Sequence, residues 1–229
     1  MPEWFVEPGQ PSPAGFAPDP DAVPAALPSL NSPPSAATAS DDSGRRSKDG
    51  QEWEIGSDAE VAWITGGTTI GVTIRSAIPP VFESYATVVL PGAADLRVAH
   101  ERSLMQLLTQ RSGDQAWWLG YLDTGADDVV FPDAPRVRMY AGWPYVLVKA
   151  GPVQAQKWRS NAPFTMHSQL PDLMFPADRT WLLSALWDDD WWSVGGSASL
   201  IDAIVLEPAL ESYVVSEAED ATPPGHIAR

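Results

Sequence analysis

The chain contains no cysteine, which removes disulfides, thiolate zinc sites and thiol nucleophiles together. Basic residues are scarce: 14 against 30 acids, leaving a net charge of −16. An acidic body repels phosphate backbones, which argues against nucleic acid and leaves a basic protein as the partner the charge favours. The same charge also serves solubility. No apolar run approaches the length needed to span a bilayer. Met1-Pro-Glu-Trp-Phe lacks the basic start and apolar stretch of a signal peptide. The expectation is a cytoplasmic protein with no membrane contact.

Large apolar side chains are few in the first fifty residues, which hold ten of the 23 prolines. Little there offsets the entropy of ordering the backbone, so 1–50 reads as a disordered Pro/Ala/Ser-rich arm. Trp4, Phe5, Val6 and Phe16 are its only candidate docking residues. Residues 51–215 are enough for one globular core, and 216–229 read as a polar tail. The charge is spread over all three: 7 acids and 3 bases give −4, 20 and 10 give −10, 3 and 1 give −2.

Within the body, Thr65-Gly66-Gly67-Thr68-Thr69-Ile70-Gly71 is Gly-rich, but it has no Lys and lacks the spacing of a phosphate loop. Ile70, Ile74, Ala77 and Ile78 instead share one face of a short helix ended by Pro79-Pro80. Tyr85–Leu90 reads as a strand, followed by a helix over Leu96–Arg111 with Asp95 as its cap. Trp117–Leu122 and Val129–Phe131 read as strands flanking an Asp-rich turn. Arg136–Tyr140 and Tyr145–Lys149 form a hairpin pattern, and Pro152 opens a helix to about Arg159. Ser160–Pro176 is loop-like. Thr180–Trp187 is apolar and fits a strand or a helix. Trp191–Val194 is a strand, and Gly195-Gly196-Ser197 opens a helix carrying Leu200, Ile201, Ile204 and Val205. Hairpins and helices without regular alternation imply an α+β domain with a largely antiparallel, mixed sheet and three to four helices.

One short motif carries chemistry. Leu122-Asp-Thr-Gly-Ala-Asp-Asp128 resembles the active-site loop of retropepsin-type aspartic proteases. The resemblance implies Asp123 as the catalytic carboxylate, braced by Thr124 and Gly125. Such catalysis needs two Asp side chains sharing a proton, so a homodimer would supply the second. Met139–Pro144 would stand for the hairpin flap, and Ser193-Val194-Gly195-Gly196 for half of the later apolar pair. The structural alternative is a strand-ending turn in which Asp123 accepts local hydrogen bonds and Gly125 takes positive φ. The body from Trp63 to Leu210 also resembles uncharacterised proteins of actinobacterial type, which implies no activity. That likeness rests on Trp117–Gly125 and Leu173–Trp181.

Eleven tryptophans are present, two of the pairs adjacent in sequence at 117/118 and 191/192. On a strand, neighbours point to opposite faces, so one ring of each pair faces inward and the other outward or toward a covering helix. Trp117, Tyr121, Trp143, Trp187 and Trp191 are the candidate aromatic binding residues. Asp188-Asp189-Asp190 lacks the spacing of a cation loop and reads as solvated. His100 and His167 have no assigned partners. No metal and no cofactor are expected. Three readings result: a non-enzymatic protein-binding module of immunity or regulator type, a homodimeric protease using Asp123, and a carbohydrate-binding domain.

Overall fold

In the computed structural model, the residues described are 45–48, 51–123, 131, 133–139, 142–158, 168–185 and 189–227. All lie in one compact unit, Asp41–Arg229. In chain order they form β1 (Arg45–Lys48), β2 (Gln51–Ile55), α1 (Asp58–Thr65), a 3-10 turn (Ile74–Ser76), β3 (Ser84–Val89), α2 (Ala94–Ser112), β4 (Trp117–Leu122), β5 (Arg136–Met139) and β6 (Trp143–Ala150). Then follow α3 (Pro152–Gln156), β7 (Leu173–Pro176), β8 (Leu182–Ser184), β9 (Trp191–Gly196), α4 (Ala198–Val205) and β10 (Ser212–Val215). Ten strands make one sheet in the order β1-β2-β6-β4-β7-β8-β9-β3-β10. β5 shares the outer edge of β6 with β2, taking residues 143–146 while β2 takes 148–149. Among the described residues every strand pairing is antiparallel, in keeping with the largely antiparallel sheet expected.

Antiparallel sheets commonly leave one face wet. Here both faces are covered, because β4, β7, β8 and β9 are apolar at consecutive positions rather than alternate ones, and every residue of these strands is buried. On one face, Trp117, Leu119, Tyr121, Met174, Trp192 and Val194 pack with α2, α3 and α4. On the other, Trp118, Leu122, Leu147, Phe175 and Leu182 pack with α1, the 3-10 turn and the chain after β10. The Trp117–Trp118 pair therefore divides between two cores, whereas of the second pair Trp192 joins the first core and Trp191 is buried with its ring edge-on to His226 at 6.1 Å. Trp117 meets Trp181 edge-on at 4.8 Å, and the Trp181 Nε1–H donates to Ser112 Oγ at 2.9 Å. β9 lies close beneath Phe82 and Ile78: a Cβ on Gly195 would stand 2.4 Å from Phe82 Cδ2 and 2.7 Å from Ile78 Cγ2.

Local chemistry explains the element ends. α1 starts on a capping box, with the Ser57 hydroxyl accepting from Ala59 N–H and the Glu60 carboxylate accepting from Ser57 N–H. α4 starts on Ser197, whose hydroxyl accepts from Leu200 N–H. α2 is capped by Ala93 with no side-chain bond; Asp95, second in the helix, lies in its first turn and complements the helix dipole instead.

Other expectations need correction. The helix over 70–78 is only the 3-10 turn, with Ile74, Ala77 and Ile78 buried and Ile70 exposed. The 1–50 arm gives up Arg45–Lys48 to β1. The loop-like 160–176 stretch contains β7; of the two alternatives for 180–187 the strand is the one formed, as β8. Gly195 and Gly196 belong to β9 rather than to α4. The strand expected at 129–131 lies outside the described residues apart from Phe131, which is buried in irregular chain. After β10 the chain returns to the body: Ala221 is buried, its N–H donates to the Val72 carbonyl at 2.8 Å, and His226 pairs with Asp190 at 2.8 Å.

Candidate functional site

Asp123 follows the last residue of β4, where the pairing with β7 has already ended at Gly120–Leu173. The Asp172 carboxylate takes over one rung there, accepting from Leu122 N–H at 3.2 Å. Asp123 N–H continues the ladder toward β6, donating to the Pro144 carbonyl at 2.8 Å. The Asp123 side chain turns to β5: its Oδ2 accepts from Arg136 Nε at 2.9 Å and from Nη2 at 2.7 Å. Arg136 also donates to the Ala134 and Phe131 carbonyls. The pair is mostly withdrawn from water, with side-chain exposures of 20% for Arg136 and 16% for Asp123. One guanidinium thus fastens the end of β4 to the chain entering β5. This arrangement suits a corner of the fold; a proton-sharing dyad needs carboxylate facing carboxylate.

The rest of the protease-like constellation is not assembled among the described residues. Thr124 and Gly125 lie outside them, as do Tyr140 and Ala141 of the flap counterpart. Met139 pairs with Trp143 across a tight turn in which Gly142 takes φ 95°. Ser193 sits in mid-sheet, opposite Thr87 on one side and Ser184 on the other, and all three are buried.

Trp117, Tyr121 and Trp191 are 0%, 1% and 4% exposed, so their assignment as binding residues is corrected: they are core. The reason is the double cover of the sheet, which gives each face of a Trp-Trp pair an apolar neighbour. Each indole removes ~200 Å2 from water, about 4–5 kcal/mol as an upper bound, which outweighs any single interface contact. Trp143 is half-buried against the α1-side core, and Trp187 lies outside the described residues. Asp190 is engaged by His226, Asp188 and His167 lie outside the described residues, and no three metal-capable side chains group together among those described. His100 is buried against Trp192, with ring centroids 5.8 Å apart. Burial pushes its pKa down to about 4. Among the described residues no helix is long and apolar enough to cross a membrane.

The feature that residue-by-residue reading missed is the distribution of charge. From Thr180 to Ala228 the sequence has nine acids (Asp188, Asp189, Asp190, Asp202, Glu207, Glu211, Glu217, Glu219, Asp220) and no Lys or Arg. The fold gathers this stretch at one end of the sheet, as β8, β9, α4, β10 and the chain beyond. Asp190, Asp202, Glu211, Glu217, Glu219 and Asp220 are exposed there. Cations reach in from elsewhere: Arg75 pairs with Glu217 at 3.4 Å, and Arg111 donates to Ser199. Arg136, Arg138 and Lys149 belong to β5 and β6 in the other half of the sheet. A count of charge along the sequence would have found the run; its collection on one edge needed the topology.

Compared with protein-family models, with curated proteins and with solved structures, the chain matches none.

Proposed function

We propose that this protein is a non-enzymatic binding module, of immunity or regulator type, whose partner is a basic protein. The observation that carries the reading is the acidic run Thr180–Ala228, nine carboxylates with no Lys or Arg among them, whose strands the topology collects toward the β10 end of the sheet. Fixed carboxylates on a rigid layer accelerate encounter with a cationic surface and select against acidic partners. The Asp123–Arg136 pair supports the same reading, because it gives the protease-like aspartate an architectural role. The burial of Trp117 and Trp191 favours this reading over a carbohydrate-binding one, for which Trp143 is left half-exposed.

The test is calorimetric titration of the full chain with a Lys/Arg-rich peptide over a salt series. Neutralising Asp202, Glu211, Glu217 and Glu219 to Asn or Gln should weaken binding strongly. The same number of neutralisations at the exposed Asp58, Asp95, Asp114 and Asp133 should matter far less. Equal losses from the two sets would mean that only net charge is felt and that the edge is no binding site.

A further inference from the structure

We propose that the outer edge of β10 is a docking strand that takes an extended, Lys/Arg-bearing segment of the partner as an eleventh strand. The inference rests on the basic-partner reading and gives that partner a place and a conformation.

Among the described residues β10 ends the sheet and pairs on one side only, with β3. The phase of that pairing fixes what the other side offers. Val89 N–H donates to the Glu211 carbonyl at 2.8 Å, so the hydrogen-bonded positions are Glu211, Tyr213 and Val215. The intervening Ser212 and Val214 turn their N–H and C=O groups away from β3. Among the described residues no backbone group bonds to either from outside. The Val214 side chain, at the middle of this edge, is 63% exposed. Natural edge strands are usually blunted by being very short, by charged side chains, by proline, by a bulge or by a covering element; of these, β10 has shortness, at four residues. β10 (Ser-Tyr-Val-Val) has no Lys or Pro, and its register with β3 runs one to one. Main-chain groups therefore stand ready for an added strand, which is one of the general modes of peptide recognition.

Charge decides the occupant. Glu211 and Glu217 flank β10, and exposed Asp202, Glu219 and Asp220 lie in the adjoining α4 and C-terminal chain. A second copy pairing through the same edge would set these carboxylates against their own like. An incoming segment with Lys or Arg at alternate positions meets them instead, while its other side chains cover Val214.

The experiment uses the full chain and a synthetic decapeptide alternating Lys with Val or Thr, its Glu-for-Lys counterpart, and a Lys peptide N-methylated at alternate residues. The Lys peptide should bind, and isotope-edited infrared spectra should show it as β-strand. N-methylation keeps every charge and should weaken binding roughly tenfold or more by removing main-chain bonds. Val214→Pro, which deletes an outward N–H without touching the β3 ladder, should do the same in a protein whose melting temperature shows it folded. If the N-methylated peptide and Val214→Pro both bind as the unmodified pair does, strand addition is wrong while the basic-partner reading stands. If the Lys peptide binds no better than the Glu peptide, the basic-partner reading itself fails. A wild-type dimer that Val214→Pro dissolves would assign the edge to a second copy and overturn the proposal.

Discussion

Removing the Asp123 carboxylate is expected to destabilise the fold rather than to abolish an activity. Asp123 Oδ2 holds two N–H groups of Arg136, and the same guanidinium holds the carbonyls of Phe131 and Ala134. Exposed ion pairs contribute about 0–1 kcal/mol. Deleting one partner of a fully buried pair costs about 3–5 kcal/mol, because the other charge is left uncompensated. With exposures of 16% and 20%, this pair falls between those limits. Asp123→Ala should therefore cost ~2 kcal/mol, or about 4–8 °C in melting temperature for a domain of this size. Arg136→Ala should cost more, ~3 kcal/mol, since two backbone carbonyls lose their donor as well. The double variant should be less destabilised than the sum of the singles, with a coupling of at least ~1 kcal/mol measured by urea unfolding in a double-mutant cycle. A coupling within the ~0.3–0.5 kcal/mol of ordinary additivity would show that the two side chains do not act as a pair. An acid-pH peptidase activity lost specifically in Asp123→Asn would refute the architectural role directly.

Three further outcomes follow from the packing. Gly195→Ala should lower stability by about 1–3 kcal/mol in calorimetry, since the new Cβ collides with Phe82 and Ile78. Trp181→Phe loses the Nε1–H bond to Ser112 Oγ as well as indole contact with Trp117, and should cost about 2 kcal/mol with a reduced near-ultraviolet dichroism signal. The depressed pKa of His100 makes stability sensitive to acid. The unfolded chain binds a proton below pH ~6.5, which the folded chain refuses until about 4, so stability is full above that window and falls as pH drops through it. The loss approaches about 3 kcal/mol at its lower end, and His100→Leu should flatten the slope between pH 6.5 and 4. An unchanged slope would mean that His100 is not the group responsible.

The sequence by itself determined much of the local structure. β4, β5, β6 and β9 stand where apolar and β-branched runs meet turn residues, and α2 and α4 stand where apolar side chains recur at helical spacing. α1 was legible too, in Ser57-Asp-Ala-Glu60, but its apolar residues Val61–Ile64 run consecutively rather than at helical spacing, which hides it from a reading based on periodicity. Tertiary structure alone decided which faces are wet. Two adjacent indoles on a strand require cover on both sides, or on one side with a ring exposed, and local chemistry does not choose between these. The choice was made by α2 and α4 on one side and by α1 with the returning C-terminal chain on the other, elements up to about a hundred residues distant. Asp123 shows the same limit. A carboxylate before Thr-Gly suits catalysis or a turn equally well, and only the arrival of Arg136 from the next strand fixes what its oxygen holds. Charge behaves likewise: the sequence sets how many acids there are, but only the order of strands determines that they stand together on an open edge.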